Sequence, residues 1–206
     1  MSNGMKCFNG APGSAAREIR SFAAAAAPTM KTTDRLRAVR EMGDQKFLAQ
    51  TAIQTDKPKV GFAAVDKISD GDLLFNVAIG AKDEGVAARA ARGVDDLPLL
   101  KKMTMGRHEN VRETAMAKLG QSAAGLIWLL KTDAKAGARV FDTADGNVKE
   151  EVLSTLAFSP HDTKRNGKTL EALYANSRTA KGIFDAMNMT DCGANQMGGP
   201  REHFPC

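Results

Sequence analysis

Three segments of the sequence decide the fold. Residues 60–68 read VGFAAVDKI, residues 86–94 read VAARAARGV and residues 111–119 read VRETAMAKL. When the three are aligned on their first valine, small or apolar residues recur four, five and eight positions later. Positions with this spacing lie on one face of an α-helix, so each segment predicts an amphipathic helix of about three turns.

A second motif alternates with these segments. It is a pair of large apolar residues, repeated every 26 residues as Phe47-Leu48, Leu73-Leu74 and Leu99-Leu100. An aspartate precedes the first member of each pair by three residues, at positions 44, 70 and 96. A short carboxylate at that place predicts a helix N-cap. Two such short helices cannot bury their apolar faces alone, so the repeat predicts a stack of helix pairs.

The repeat also defines the predicted domain organisation. Residues 34–158 form the repeat region, because the period extends back to Asp34 and returns at Asn147. The late copy is displaced by about 11 added residues, which we place in a loop or short extra helix near 132–146. Residues 1–33 are a tail and a capping helix that starts at Ser14 and stops before Pro28. Residues 159–189 form the last helix pair, which follows a polar link at 160–167. Residues 190–206 are a Gly/Pro-rich tail.

These motifs resemble the HEAT-like family of helical repeats in its short bacterial form, where a helix opened by an acid and a Leu pair alternates with a V-R-x-x-A-V-x-x-L helix. Residues 111–119 are the best copy and residues 83–94 a good one, whereas the copy at 56–68 has Gly61 where the family often has Arg. The resemblance implies an all-α fold: an α-solenoid of about five short antiparallel helix pairs, with an N-terminal capping helix and an irregular C-terminal tail. It also implies a scaffold that binds other proteins, because most members are of that kind and a minority bind nucleic acid or act on it.

Composition narrows the class of partner only a little. The 206 residues carry a formal net charge of +5, from 29 basic and 24 acidic residues. This mild excess is typical of a mixed solvated surface, and it also suits an acidic partner, either a protein face or a nucleic acid. No run of 18 apolar residues occurs, so we expect no membrane partner.

The cysteines predict the compartment. Cys7, Cys192 and Cys206 lie outside the repeats and are odd in number, so no disulfide framework is expected and a reducing, cytoplasmic location is favoured. An alternative is the interior of an organelle, because the first 33 residues carry four basic residues against one acid, Glu18.

The sequence contains no recognisable catalytic or cofactor motif. The histidines are scattered, and Cys192, His203 and Cys206 lack the fourth ligand of a zinc site. Neither common phosphate-binding glycine pattern occurs. We therefore expect no cofactor, no metal and no enzyme activity. The enzyme alternative is a DNA glycosylase of HEAT-like fold, for which Phe62 and Trp128 are the only plausible cleft aromatics, and Trp128 is better explained as core.

The helices predicted from the three aligned segments, here called the Val-led helices, carry the charges that best indicate a binding surface. A series of basic residues is predicted on the exposed sides of these helices and of the partial first copy, and it begins with Arg35, Arg37 and Arg40. The series continues through the candidate partner-binding residues Lys59, Lys67, Arg89, Arg92, Arg112, Lys118 and Lys149. In stacked pairs this helix generally lines the concave surface, so the residues predict a basic stripe. Acidic residues on the same helices favour a protein partner, and nucleic acid binding is the alternative.

Overall fold

The computed structural model describes the backbone of residues 12–158 and 163–194 and the side-chain surroundings of residues 14–157 and 166–186. Within these residues the chain is all-α, which confirms the predicted class: thirteen helices and no strand are present. The helices are α1 (Pro12–Ala26), α2 (Thr32–Glu41), α3 (Gln45–Gln54), α4 (Pro58–Val65), α5 (Gly71–Gly80), α6 (Glu84–Arg92), α7 (Leu97–Met103), α8 (Glu109–Leu119), α9 (Ala123–Thr132), α10 (Ala134–Thr143), α11 (Gly146–Phe158), α12 (Thr163–Asn176) and α13 (Arg178–Ala194).

The helices group into two compact units, Met1–Ala115 and Met116–Cys206. In the first unit, α1 packs on α2, α3 on α4 and α5 on α6. Contacts also join α1, α3, α5 and α7 in succession, and likewise α2, α4 and α6. We call these two sets the odd row and the even row.

Aspartates cap α3, α5 and α7 of the odd row, as the sequence predicts. The Asp44 carboxylate accepts hydrogen bonds from the backbone N–H groups of Lys46 and Phe47 at the start of α3. Asp70 caps α5 in the same way, and Asp96 accepts from the N–H of Leu99 in α7. Each side chain satisfies donors that have no partner within the helix.

The repeated apolar positions form the core of the first unit. Val60, Val86 and Val111 are fully buried, as are the alanines four residues later at 64, 90 and 115. In each large apolar pair the second residue is buried and the first is half-buried. Alanine at the crossings allows two helices to approach closely, which explains a core with few aromatic residues.

The second unit has a different contact pattern. Helix α12 packs against α9, α10 and α11, and α10 also contacts α13. The segment at 132–146, where the sequence predicts an insertion, contains α10, so the added residues supply one extra helix. Gly125 and Gly137 allow close packing here, since a Cβ on Gly137 would lie 2.7 Å from the backbone nitrogen of Leu130 in α9.

Both ends of the described chain differ from the predicted helix bounds. Helix α1 begins at Pro12, before the predicted Ser14, and α12 begins at Thr163, inside the predicted polar link. Helix α13 continues to Ala194, past the predicted end at Met189. Neither 163–168 nor 190–194 contains a proline, so no residue in these stretches prevents the helix from continuing. The predicted tails at 1–11 and 195–206 lie outside the described residues. No helix in the described part of the chain has both the length and the apolar content needed to span a membrane.

Candidate functional site

The prediction that Arg35 lies on an exposed side of its helix is wrong. Its side chain is only 1% exposed. The guanidinium donates to the carbonyl of Ala25 at 2.7 Å, to Asp56 Oδ1 at 2.6 Å and to Thr55 Oγ1 at 2.9 Å. Arg35 therefore joins the end of α1 to the turn after α3, and its hydrogen bond is the main reason that the pKa of Asp56 lies below its usual value.

The register contains the signal that would have identified this burial. Position 35 corresponds to Gly61 and Ala87 in the next two copies, and both are buried. It also corresponds to Arg112, which is half-buried and donates through Nη1 to the carbonyls of Gly106 at 3.0 Å and Arg107 at 3.1 Å. Arg35 and Arg112 occupy the same position of the repeat, and each donates to a backbone carbonyl that precedes its own helix.

Lysines from the predicted stripe also bind backbone carbonyls. The Nζ of Lys67 donates to the carbonyls of Val39, Arg40 and Met42 at the end of α2. A cation at this place satisfies carbonyls that the helix leaves free and interacts favourably with the negative end of its dipole. In the second unit, Lys149 Nζ donates to the carbonyl of Asp142 at 3.0 Å.

The remaining candidates keep more of their charge at the surface. Lys59 and Arg92 are exposed in the first unit, and Lys118 is half-buried in α8, in the second unit. Arg89 is 46% exposed and binds the carboxylate of Asp66 through two hydrogen bonds, at 2.6 and 2.9 Å. Of the seven predicted residues, the structure brings Arg89 and Arg92 together in one groove.

This groove lies between α6 of the even row and the start of α8, and it has a volume of about 500 Å³. One wall is a face of α6 with positions spaced by three and four residues, and the other is the start of α8. We call it the even-row groove, and its lining residues are Phe62, Gly85, Ala88, Arg89, Arg92, Asn110, Glu113 and Thr114.

An aromatic ring and a fixed guanidinium form one side of the even-row groove. The Arg89 guanidinium carbon lies 5.5 Å from the centre of the Phe62 ring, so the cation faces the π-system while it also binds Asp66. Gly85 permits this arrangement, because a Cβ there would lie 3.3 Å from Phe62 Cζ and 3.1 Å from Asp83 Oδ1. The arginine is thereby held in place before any ligand arrives.

The opposite side of the even-row groove carries acidic and neutral polar groups. Glu113 and Asn110 are exposed, and the Thr114 hydroxyl donates to the carbonyl of Asn110 at 2.7 Å. The groove therefore offers a cation, a carboxylate, an amide and an aromatic face to one ligand. Sequence reasoning missed Asn110 and Thr114, although their spacing with Glu113 places all three on one helix face.

The lining of the even-row groove contains few acidic or basic groups that could exchange a proton near neutral pH. Glu113 is the single carboxylate among its lining residues, and none of them is a histidine, cysteine or lysine. Phe62 is occupied by Arg89, and Trp128, the other aromatic residue of the glycosylase alternative, is half-buried in the second unit. His108 lies at the entry to α8, with Nε2 3.0 Å from both Arg107 Nε and the carbonyl of Ala81. His161, His203, Cys7 and Cys206 lie outside the described residues, as does the side chain of Cys192.

Asp142 gives the second unit a pH-sensitive contact beside Lys149. Its Oδ1 accepts from Ser177 Oγ at 2.5 Å and from the N–H of Thr179 at 3.2 Å, which attaches α10 to the start of α13. Desolvation raises the pKa of Asp142, but the hydrogen bonds from Ser177 and Thr179 together outweigh it, and the pKa lies below its usual 3.8.

We expect Asp142→Ala to lower the free energy of unfolding of the second unit by about 1 kcal/mol at pH 7. Because the folded pKa is depressed, this contribution is present above about pH 4 and is lost as the pH falls through the folded pKa. The gap between the parent protein and the variant should therefore close with falling pH in urea titrations followed by fluorescence of Trp128. A gap that stays constant down to about pH 2.5 would contradict the assignment.

In the described part of the chain, no three His, Cys, Asp or Glu side chains are grouped so as to hold a metal ion. Comparison of the whole chain with protein-family models, with curated proteins and with solved structures finds no match.

Proposed function

We propose that this protein is a non-catalytic scaffold of HEAT-like repeats that binds a segment of another protein in the even-row groove. In this proposal the helix pairs are antiparallel and stack as an α-solenoid, with the even row on the concave side. The two successive rows of contacts in the first unit and the 26-residue spacing of its capped helices support it. The three cysteines favour a reducing compartment, such as the cytoplasm, as the place of action.

The observation that carries the proposal is the composition of the even-row groove. Arg92 and Glu113, which are both exposed, present opposite charges within a space of about 500 Å³, beside a half-buried aromatic ring. A protein segment can match such a surface residue by residue, because it can offer an acid, a base and an apolar side chain at short spacing. A duplex presents a continuous row of negative phosphates, which Glu113 would repel.

The partners of the predicted stripe residues also disfavour nucleic acid binding. Lys67, Arg112 and Lys149 donate to backbone carbonyls. Arg89 shares its charge with Asp66. A cation that already stabilises a helix end gains less from a phosphate, since part of its charge is satisfied before the ligand arrives. These four cations of the predicted stripe therefore have structural partners within the chain.

The proposal is tested by exchanging the charges of the even-row groove. The double variant Arg92→Glu with Glu113→Arg keeps the net charge and changes two exposed side chains. We expect partners that co-purify with the tagged parent protein from its own cells to fall at least tenfold in quantitative mass spectrometry. The matched control, Asp72→Lys with Lys102→Glu, makes the same exchange on exposed residues of the odd row and should keep those partners.

Two outcomes would end the proposal. One is a set of partners retained equally by both double variants. The other is tight binding to a mixed-sequence duplex or to heparin, lost on Arg92→Glu alone and steeply weakened by salt, which would assign the groove to nucleic acid.

A further inference from the structure

A second groove lies at the first helix pair, and it shares no lining residue with the even-row groove. It has a volume of about 510 Å³ and runs between α1 and α2. From α1 it is lined by Arg17, Arg20, Ser21 and Ala24. From α2 it is lined by Asp34, Arg37, Ala38 and Glu41. We call it the end groove.

The spacing of these residues defines the shape of the end groove. On each helix the four positions follow one another by three, one and three residues, which places them on a single helix face. Each face is therefore about 10 Å long, at 1.5 Å per residue. The groove follows two helix axes for about two turns, a length suited to a short peptide segment.

The floor of the end groove is small and partly apolar. Ala24 and Ala38 face it from the two helices, and Met30, 37% exposed, lies after the end of α1. Small floor residues let another backbone approach closely, and an exposed methionine adapts to varied apolar side chains. The floor therefore accepts an apolar side chain of the occupant.

One polar side chain also lies on the floor. Ser21 is 6% exposed and lines the groove from α1. A serine hydroxyl can both donate and accept a hydrogen bond. Ser21 therefore offers a bound peptide one neutral hydrogen-bonding group.

The two walls of the end groove carry different charges. The α1 wall is purely basic, because Arg17 has no partner in the described part of the chain and Arg20 uses only Nε, which donates to the carbonyl of Ala16. The acid nearest in sequence, Glu18, is engaged elsewhere, where it accepts from the N–H groups of Gly43 and Asp44. An anionic group is thus favoured along α1.

The α2 wall has the opposite balance. Asp34 and Glu41 flank Arg37, three residues before it and four residues after it, and none of the three forms an ion pair within the described residues. Both acids are within reach of Arg37 along the helix face, which leaves one negative charge in excess. An occupant gains most when its acidic side faces α1 and its basic or neutral side faces α2.

The place of α2 in the repeat explains why the end groove is open. Asp34 and Ala38 correspond to Val60 and Ala64 of α4, both fully buried. Helix α2 is the first described member of the even row, whereas α4 lies between α2 and α6. The valine of the later copies is accordingly replaced by an acid, which gives the end face both polarity and a specific charge pattern.

From these observations we infer that the end groove binds a short amphipathic peptide segment of a partner protein, with an acidic side chain against Arg17 and Arg20 and an apolar side chain on the Ala24–Ala38 floor. This site is separate from the even-row groove, and neither proposal depends on the other. The acids of the α2 wall disfavour a polyphosphate chain, which would be attracted at one wall and repelled at the other.

A selection experiment tests this inference with a defined probe. Random twelve-residue peptides displayed on phage are selected on the full chain and counter-selected on the double variant Arg17→Glu with Arg20→Glu. We expect enriched peptides that carry Asp or Glu within four positions of an apolar residue. Measured by fluorescence anisotropy, their binding should weaken at least tenfold on the double variant, and about fivefold on Ser21→Ala, the effect of one lost neutral hydrogen bond.

Two matched changes distinguish recognition from misfolding. Replacing the acid of a selected peptide by Lys should restore binding to the Arg17→Glu, Arg20→Glu protein and weaken it to the parent. Ala24→Leu should fill the floor and weaken binding tenfold without changing any charge, with the helical circular dichroism unchanged. The Arg92→Glu, Glu113→Arg protein should bind the selected peptides as the parent does, which separates this result from the fate of the even-row groove.

The inference is overturned if no peptide is enriched over the counter-selection, or if enriched peptides lack acids. It is also overturned if a labelled single-stranded oligonucleotide, and no peptide, binds in a manner that Arg17→Glu with Arg20→Glu abolishes. That result would assign the end groove to nucleic acid.

Discussion

Arg35→Met is expected to lower the free energy of unfolding of the first unit by about 3 kcal/mol or more. The side chain is 1% exposed and donates three hydrogen bonds, one to the end of α1 and two to the turn after α3. Methionine fills much of the same volume but leaves the buried carbonyl of Ala25 without its donor. Arg35→Lys should also destabilise, because one ammonium group cannot reach three acceptors as a guanidinium does.

The measurement has to separate the two units. Trp128 is the only tryptophan and lies in the second unit, so its fluorescence follows that unit, whereas circular dichroism follows all helices. Arg35→Met should move the dichroism transition in urea to lower concentration. Arg37→Met, on the same helix but exposed, should change the free energy of unfolding by less than about 0.5 kcal/mol.

A second readout identifies the cause. The hydrogen bond from Arg35 is the largest influence that lowers the pKa of Asp56, so the pKa of that carboxyl should rise toward its ordinary value in Arg35→Met. A carboxyl titration by NMR in the folded state measures this change. An unaltered pKa of Asp56 together with unaltered stability would show that Arg35 does not join α1 to the turn at Asp56.

The sequence predicted those features that depend on local chemistry and periodicity. Asp44, Asp70 and Asp96 cap their helices because a carboxylate just before a helix can accept hydrogen bonds from the backbone N–H groups of its first turn. Val60, Val86 and Val111 are buried because a repeated apolar position has one inward direction. Both inferences need only neighbours within one helix turn or one repeat.

The positions of the cations could not be read in this way. A lysine or arginine side chain extends several ångströms from its helix, so its partner is set by packing between repeats. Lys67 was predicted to face a ligand, and it donates to three carbonyls at the end of α2. Arg107, outside the predicted stripe, donates to the carbonyls of Gly80 and Ala81 at the end of α5. A basic composition can thus serve helix ends, and net charge alone does not indicate a ligand.

The same limit applies to the grooves. Positions 85, 88, 89 and 92 share a helix face, which the sequence shows, but the space beside them exists because Phe62 of another helix lies over Gly85. Pairing α6 with the start of α8 in one cavity requires the fold. The place of Ser21 in the end groove is likewise visible only once α1 and α2 are packed.

Gly137→Ala is expected to lower the free energy of unfolding of the second unit by about 3 kcal/mol. Its Cβ would lie 2.7 Å from the nitrogen and 2.8 Å from the Cα of Leu130, and both atoms belong to the backbone of α9. A clash with a flexible side chain can be relieved by a rotamer change, whereas a clash with helix backbone requires two whole helices to separate. The fluorescence transition of Trp128, which lies on α9, should move to lower urea concentration.

The matched control changes the sign of the effect. Gly182 lies within α13, and a Cβ added there would have no neighbouring heavy atom within 4 Å, so alanine removes only the conformational freedom of glycine. Gly182→Ala should stabilise by about 0.5 to 1 kcal/mol. If both substitutions stabilise, α9 and α10 do not pack at the distance described, and the helix added at 132–146 cannot be part of the core of the second unit. If Gly137→Ala alone destabilises, close backbone packing explains how the chain accommodates one more helix than its repeat provides.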